Sequence, residues 1–500
     1  MAPPDSADAA AEATLIRRVL FAAAPALPAP ILLSSPGPLD HEAALLLAHG
    51  LRAAVLPWYS RLTPDRELLT VISGVFAAVL ERIGQRLGST DGQAALARFV
   101  GEELPALVAA HIEDVRACEA AAGTAAAQHA SLATLYLSRA PHPALRVQPG
   151  TGEPLVDGAY LRALVEALLE ALLPAEHWAS ECERFIVRDV VVGILRGSVL
   201  GRCTRPWFLV ETAHKLLDAR ASKADEVAGT SKTATGFSVV AALHRLVSLA
   251  LLCLSVLLPP LLRAYVELFT PAETQHRRRA RRRRSNIGAL TPGGPAWIAE
   301  ADEPSMAPQP ATRSAQSAPL LRLPPLLSLL SVMFELSNRA LSRAALLLLH
   351  LAGDLGLAGL VETRIDSAMR HAVEPHRLAP VVRAVREAAL PGGQLPPPAP
   401  PDPTPAQRRR DYARLLPRLC AAMPAPVRAL LLGVQPATQE AALARAVGPF
   451  MGPPPAPHSP DEHCSGLAEL ANVRLYLAVL ERLAVLIDPA LEETGLTAAA

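Results

Sequence analysis

Aromatic side chains are scarce in this 500-residue chain, at 4% of the total, with only four tryptophans and six tyrosines. Its cores must therefore be built from aliphatic residues, and the 51% hydrophobic content is dominated by alanine and leucine, both strong helix formers. Runs of alternating valine, isoleucine and threonine are missing, which leaves no material for a large sheet. The predicted fold class is all-α. Charge of one sign is also lacking: 48 lysines and arginines face 47 aspartates and glutamates, so no global field attracts nucleic acid. Six cysteines, at 118, 182, 203, 253, 420 and 464, show no CxxC spacing. Small apolar residues in a reducing compartment fit this pattern better than a disulfide framework.

Signatures of catalysis are absent too. There is no GxSxG elbow, no HExxH and no kinase set. Gly229-Thr230-Ser231-Lys232-Thr233 lacks the glycine that a phosphate loop places before its lysine, and no strand precedes it. His458, Asp461, Glu462, His463 and Cys464 lie together in a proline-rich stretch, but without the spacing of a zinc site. The expectation is a chain with no enzymatic activity, no metal and no cofactor. Met1 to Ala13 is small and acidic, unlike the basic start and apolar core of a signal peptide.

What is present is a succession of helical patterns in four segments. The first, 12–220, carries Leu68, Ile72, Val75, Phe76, Val79 and Ile83 at helical spacing. Leu161, Leu164, Val165, Leu168 and Leu172 repeat the pattern before Pro174 ends it. The second segment, 237–270, contains a run from Leu246 to Leu262 without a charged side chain. The third, 271–319, is rich in arginine, proline and serine and has the composition of a disordered linker. The fourth, 320–492, is helical again, with proline-rich interruptions at Pro391–Pro405 and Pro449–Pro460.

The apolar run falls slightly short of the roughly 20 residues needed to span a bilayer, and Pro259-Pro260 interrupts it. A membrane span, a helix buried in protein, insertion into one leaflet and the lining of a lipid cavity all remain open for Leu246, Leu249, Leu252, Val256 and Leu257. Arg277, Arg278, Arg279, Arg281, Arg282, Arg283 and Arg284 follow directly. Beside an apolar run they suit an anionic cytosolic leaflet, each contributing about 1 kcal/mol before screening, more than they suit nucleic acid or a plain linker. For Trp58, Tyr59, Trp178, Trp207 and Phe208 the expected role is core packing rather than membrane anchoring.

Two stretches carry a family resemblance. Leu51 to Ser60 with Trp58-Tyr59, then His111, Pro141-His142-Pro143-Ala144-Leu145, Leu172-Leu173-Pro174 and Arg188-Asp189 resemble a PXA (PX-associated) domain. Arg205-Pro206-Trp207-Phe208 departs from that family's Pro-Asp pair. Phe334-Glu335-Leu336, Leu390-Pro391-Gly392-Gly393, Leu430 to Gly433, and Asn472, Leu475 and Tyr476 followed by Pro489 and Leu491 resemble a sorting-nexin C-terminal (PXC) domain. Its usual tryptophan and double arginine are missing, and the linker is too short for a PX domain between the two blocks.

The resemblance implies a fungal-type chain in which PXA and PXC fold back onto each other. It also implies a lipid-binding or lipid-transferring protein whose helices enclose an apolar cavity. Trp58, Tyr59, His111, Pro174, Arg188, Asp189, Phe334, Leu336 and Gly433 would hold that architecture. The expected partners are phospholipid or another acyl-chain lipid and an anionic membrane surface. The expected place is the cytosolic face of the endoplasmic reticulum or of endosome and vacuole contact sites. A trafficking scaffold that binds other proteins is the alternative.

Overall fold

The first turn of regular structure is a helix of small residues, α1 (Ser6–Leu20), whose Ile16, Val19 and Leu20 are buried against α2 (Pro38–Gly50). The computed structural model describes residues 6–230 and 323–492, except 22–25, 29, 34–35, 123, 125–130, 149–152, 340–341, 344–373, 395–401, 424, 434 and 453–461. The described residues apart from Thr230 belong to one compact unit. The apolar run, the arginine cluster, the linker and the loop around His458 lie outside the described residues.

Asp40 shows how the entry to α2 is fixed. Its carboxylate is buried and accepts backbone N–H bonds from Ile31, Leu32 and Leu33 at 2.7, 2.7 and 2.8 Å. Three donors compensate the loss of water around a charge that would otherwise be costly to bury.

A π-helical turn at Leu51–Val55 links α2 to α3 (Leu56–Leu62). One extra residue per turn rotates the buried face by about 100°. Leu45, Ala48 and Leu51 face the core at regular helical spacing, and an unbroken helix would carry the same face to residue 58. Instead Trp58 is 50% exposed, with Tyr59 edge-on to it at 5.8 Å. The expected core role of Trp58 is corrected on this physical ground. Trp178, by contrast, is half-buried against the main core, and Trp207 and Phe208 are also half-buried.

The long α4 (Glu67–Gly88) joins two clusters. Ile72 and Phe76 pack with the N-terminal core, and Val75 and Val79 with the main one. Its fully buried positions are Leu69 and Ser73, so the expected apolar face of α4 is half-buried rather than buried. Next come α5 (Thr90–Arg98), capped by Ser89, and α6 (Leu104–Ala122), which buries His111, Ile112, Val115 and Cys118. Helix α7 (Leu132–Arg139) is capped by Ser131. A two-stranded ribbon follows, β1 (Leu145–Val147) antiparallel to β2 (Pro154–Val156), with Leu145 opposite Val156. Such a short ribbon has no strand pattern in the sequence and was not anticipated.

Asp157 caps α8 (Gly158–Leu172), whose Leu161, Leu164, Val165 and Leu169 are buried. Then come the short α9 (Ala175–Ala179), α10 (Glu181–Ile194) and, after another π-helical segment, α11 (Pro206–Thr230). The C-terminal block supplies α12 (Leu323–Phe334), α13 (Pro375–Ala389), α14 (Pro405–Ala422), α15 (Ala425–Leu432), α16 (Pro436–Met451) and α17 (Glu462–Ile487). The architecture is all-α, as expected.

Both ends of the chain build the main core. Val115, Tyr136, Leu161, Val165, Leu169 and Leu200 from the first block are clustered with Leu467, Leu470, Ala471, Val473 and Leu477 of α17. Burial of a leucine-sized side chain contributes about 1.5–3 kcal/mol, so α17 is a large part of this core's stability.

Candidate functional site

Polar side chains mark the seam between the first block and the C-terminal helices. His111 is 1% exposed on α6, and its ring stacks on Phe450 of α16 at 4.7 Å. No group meets hydrogen-bond geometry with either ring nitrogen. Burial pushes the imidazole pKa down to about 4, partly offset by the carbonyls of Pro449 and Ala471. Beside it, Asn472 donates to the carbonyls of Thr204 and Phe450, each at 2.8 Å. One amide thus ties the segment before α11 to the end of α16.

Three further contacts cross the seam. The Arg116 guanidinium donates to the carbonyls of Val332, Met333 and Arg445. The first two are orphan carbonyls at the end of α12, so a cation from another helix caps that terminus. Arg52 donates to the carbonyl of Gly393 at 2.9 Å. Glu42, 2% exposed, pairs with Arg383 and Arg386 of α13. Bonding to Glu42 raises the Arg383 pKa further, so the cation stays charged.

Among the residues singled out in the sequence, Phe334 and Leu336 are buried, and Pro174 and Gly433 stand at helix ends. Pro174 ends the connection after α8 and caps α9, and the preceding Leu173 is buried. Arg188 binds Asp189 at 3.0 Å and Glu166 at 3.2 Å, and lies over the Phe185 ring. Phe334 and Leu336 are buried around the left-handed Glu335. Gly433 sits at φ 97° after α15, where a side chain would be strained. Arg339 donates to the carbonyl of Leu431 in the same element. The lipid-contact candidates Leu246 to Leu257 and Arg277 to Arg284 lie outside the described residues.

Two surface features were not singled out in the sequence. On α10, Ile186, Val190 and Ile194 are 60%, 57% and 57% exposed and recur every four residues, forming an outward apolar stripe beside Phe185. Only the fold shows which side of this helix turns to solvent. A second feature is a cleft of about 360 Å³ lined by Arg82, Gln85, Arg86, Ser89, Ala171, Leu172 and Ile487. Among the described residues there is no cluster suited to a metal ion, and no helix is long and apolar enough to cross a membrane.

Comparison with known proteins assigns the first block. No solved structure matches the chain. Over 145 residues it is 28% identical to PXA domain protein 1 of Schizosaccharomyces pombe (strain 972 / ATCC 24843), covering 29% of this chain and 27% of that protein. The match thus spans about a quarter of the relative's length. Residues 37–216, from the start of α2 into α11, match the family model of the PXA domain, and a PXA domain occupies that part of the chain.

Proposed function

We propose that this chain is a non-enzymatic, membrane-associated lipid-binding protein that carries acyl-chain lipid between membranes in a trafficking pathway. The PXA domain at 37–216 is the observation that carries the reading. Two features agree with it. The C-terminal helices complete the core of the PXA helices, in keeping with a PXC-like second half. The α10 stripe leaves large aliphatic side chains in water that lipid would cover. Acyl burial would supply the driving force, about 0.8 kcal/mol per CH₂. In this reading the apolar run 237–270 and the arginines 277–284 hold the protein at the cytosolic face of the endoplasmic reticulum or of an endosomal or vacuolar contact site.

The test is mass spectrometry of lipid retained by the purified full chain, followed by transfer of labelled lipid between liposomes. Copurified glycerophospholipid together with accelerated transfer is expected. Protein that carries no lipid and moves none would remove the proposal. A trafficking scaffold is the second reading, favoured by the same α10 stripe, whose four-residue repeat also suits a partner helix. Lipid-free protein that retains a stable protein partner would decide for it.

A further inference from the structure

The cleft beside α4 joins two kinds of surface. Arg82, Gln85, Arg86 and Ser89 form one wall, spaced so that they share a face across the C-terminal turns of α4 and its cap. Leu172 at the end of α8 and Ile487 at the end of α17 form the other wall. Among the described residues neither Arg82 nor Arg86 has a carboxylate within ion-pair distance.

The two guanidiniums are held in place by backbone. Arg82 donates through one terminal nitrogen to the carbonyls of Ala171 and Leu173. Arg86 donates through Nε to the carbonyl of Leu486 at 3.4 Å, a long contact. Each guanidinium carries five N–H donors, so several on each remain for a ligand. The Ser89 hydroxyl and the N-terminus of α5 border the same space, since Ser89 caps that helix. Both guanidiniums also offset the negative carbonyl ends of helices, Arg82 at the end of α8 and Arg86 at the end of α17. Glu81 is engaged with the Gln85 amide at 3.4 Å, and Asp488 accepts a bond from the backbone N–H of Ala490.

We propose that this cleft binds a phosphate monoester borne on a short aliphatic moiety. The Arg82 and Arg86 forks would take the phosphate oxygens, and Leu172 and Ile487 would cover the first carbons. Planar guanidiniums match tetrahedral phosphate through paired N–H···O bonds, which a carboxylate-free wall leaves available. The same chemistry is offered by the headgroup of phosphatidic acid and by soluble glycerol 3-phosphate. Only the assignment to a lipid source rests on the function proposed above.

The full chain is tested by flotation with phosphatidylcholine vesicles, with and without phosphatidic acid, and by competition with glycerol 3-phosphate. Binding that requires phosphatidic acid is expected. Arg86→Gln should weaken it about tenfold, the loss of a charge-assisted bond. Gln85→Glu should weaken it similarly by placing an anion in the wall. Gln85 is exposed and makes only a long side-chain contact, so this variant keeps its fold, which a thermal melt checks. Displacement by glycerol 3-phosphate identifies a soluble ligand, and resistance to displacement identifies a lipid; both uphold the site. Wild-type binding by Gln85→Glu and Arg86→Gln overturns it, as does absence of binding to both phosphate probes. Retained lipid is measured in the same preparations. Lipid-free wild type that still binds phosphate ends the acyl-transfer reading and leaves the cleft standing, while loss of phosphate binding alone does the reverse.

Discussion

His142 Nε2 lies 3.0 Å from Oε1 of Glu481, joining the Pro-His-Pro stretch of the PXA domain to the last long helix. Both side chains are buried. The backbone N–H of Ala144 donates to Nδ1 of the same ring at 3.2 Å. That bond assigns the proton to Nε2, so a neutral imidazole donates to the carboxylate. The Tyr160 hydroxyl donates to the same oxygen. Burial, and after it this bond, pushes the phenol pKa well above its ordinary value.

Glu481→Ala is expected to lower stability by about 2–3 kcal/mol, because a buried imidazole N–H and a half-buried hydroxyl from the PXA domain lose their acceptor. Glu481→Gln keeps a carbonyl oxygen for those donors and should cost about half as much. Urea unfolding of the full chain checks the order; equal losses would mean that the carboxylate serves only as packing.

Stability should also fall on mild acidification through His111. The ring titrates at about 4 when folded and near 6.5 when free. Between those values the unfolded chain binds the extra proton, so the stabilising contribution is complete above pH 6.5 and is lost as pH falls toward 4. Near pH 5 the loss is about 2 kcal/mol. His111→Phe keeps a ring against Phe450 and removes the titrating nitrogens, so its unfolding midpoint should lose less than wild type between pH 7 and 5. The difference between the two proteins isolates this ring from other titrating groups.

How far did the sequence carry these conclusions? The helical class followed from composition, and buried faces such as Leu161, Leu164 and Val165 followed from spacing. Trp58 did not, since a π-helical turn adds a residue without leaving a distinctive sequence pattern. The seam was only partly legible. Asn472 and Gly393 stand in stretches that resemble family motifs, whereas Glu481 and Arg116 look like ordinary charges on amphipathic helices. Only the fold reveals that their partners lie hundreds of residues away. The Arg82 and Arg86 cleft was hidden for the same reason: its apolar wall comes from two other helices.

Removal of residues 462–500 is expected to unfold the PXA domain rather than to release it. Leu467, Leu470, Val473 and Leu477 would leave the main core together, at about 1.5–3 kcal/mol each. Such a loss reaches the whole stability of an ordinary domain. The truncated chain should bind a hydrophobic dye and melt without a cooperative transition, as followed by circular dichroism and fluorescence. A cooperative melt like that of the full chain would show that the first block closes its core without α17.

Gly393 gives the seam a backbone requirement. Its φ of 73° lies in the left-handed region, and its carbonyl receives the Arg52 guanidinium. A Cβ there would stand 2.1 Å from His49 Nδ1 and 2.4 Å from Arg52 Nη2. Both obstacles are ends of side chains that can swing away, so the clash alone is cheap. The left-handed conformation is not relieved by that movement and costs an alanine about 1–2 kcal/mol. Displacing Arg52 also sacrifices its bond to the carbonyl, adding about 1 kcal/mol. Gly393→Ala should therefore lose about 2–3 kcal/mol in urea unfolding, whereas Gly448→Ala, in a helix with open space around it, should lose nothing. Arg52→Ala tests the second contribution: in its background the cost of Gly393→Ala should shrink by about 1 kcal/mol, and an unchanged cost would assign the whole effect to the backbone.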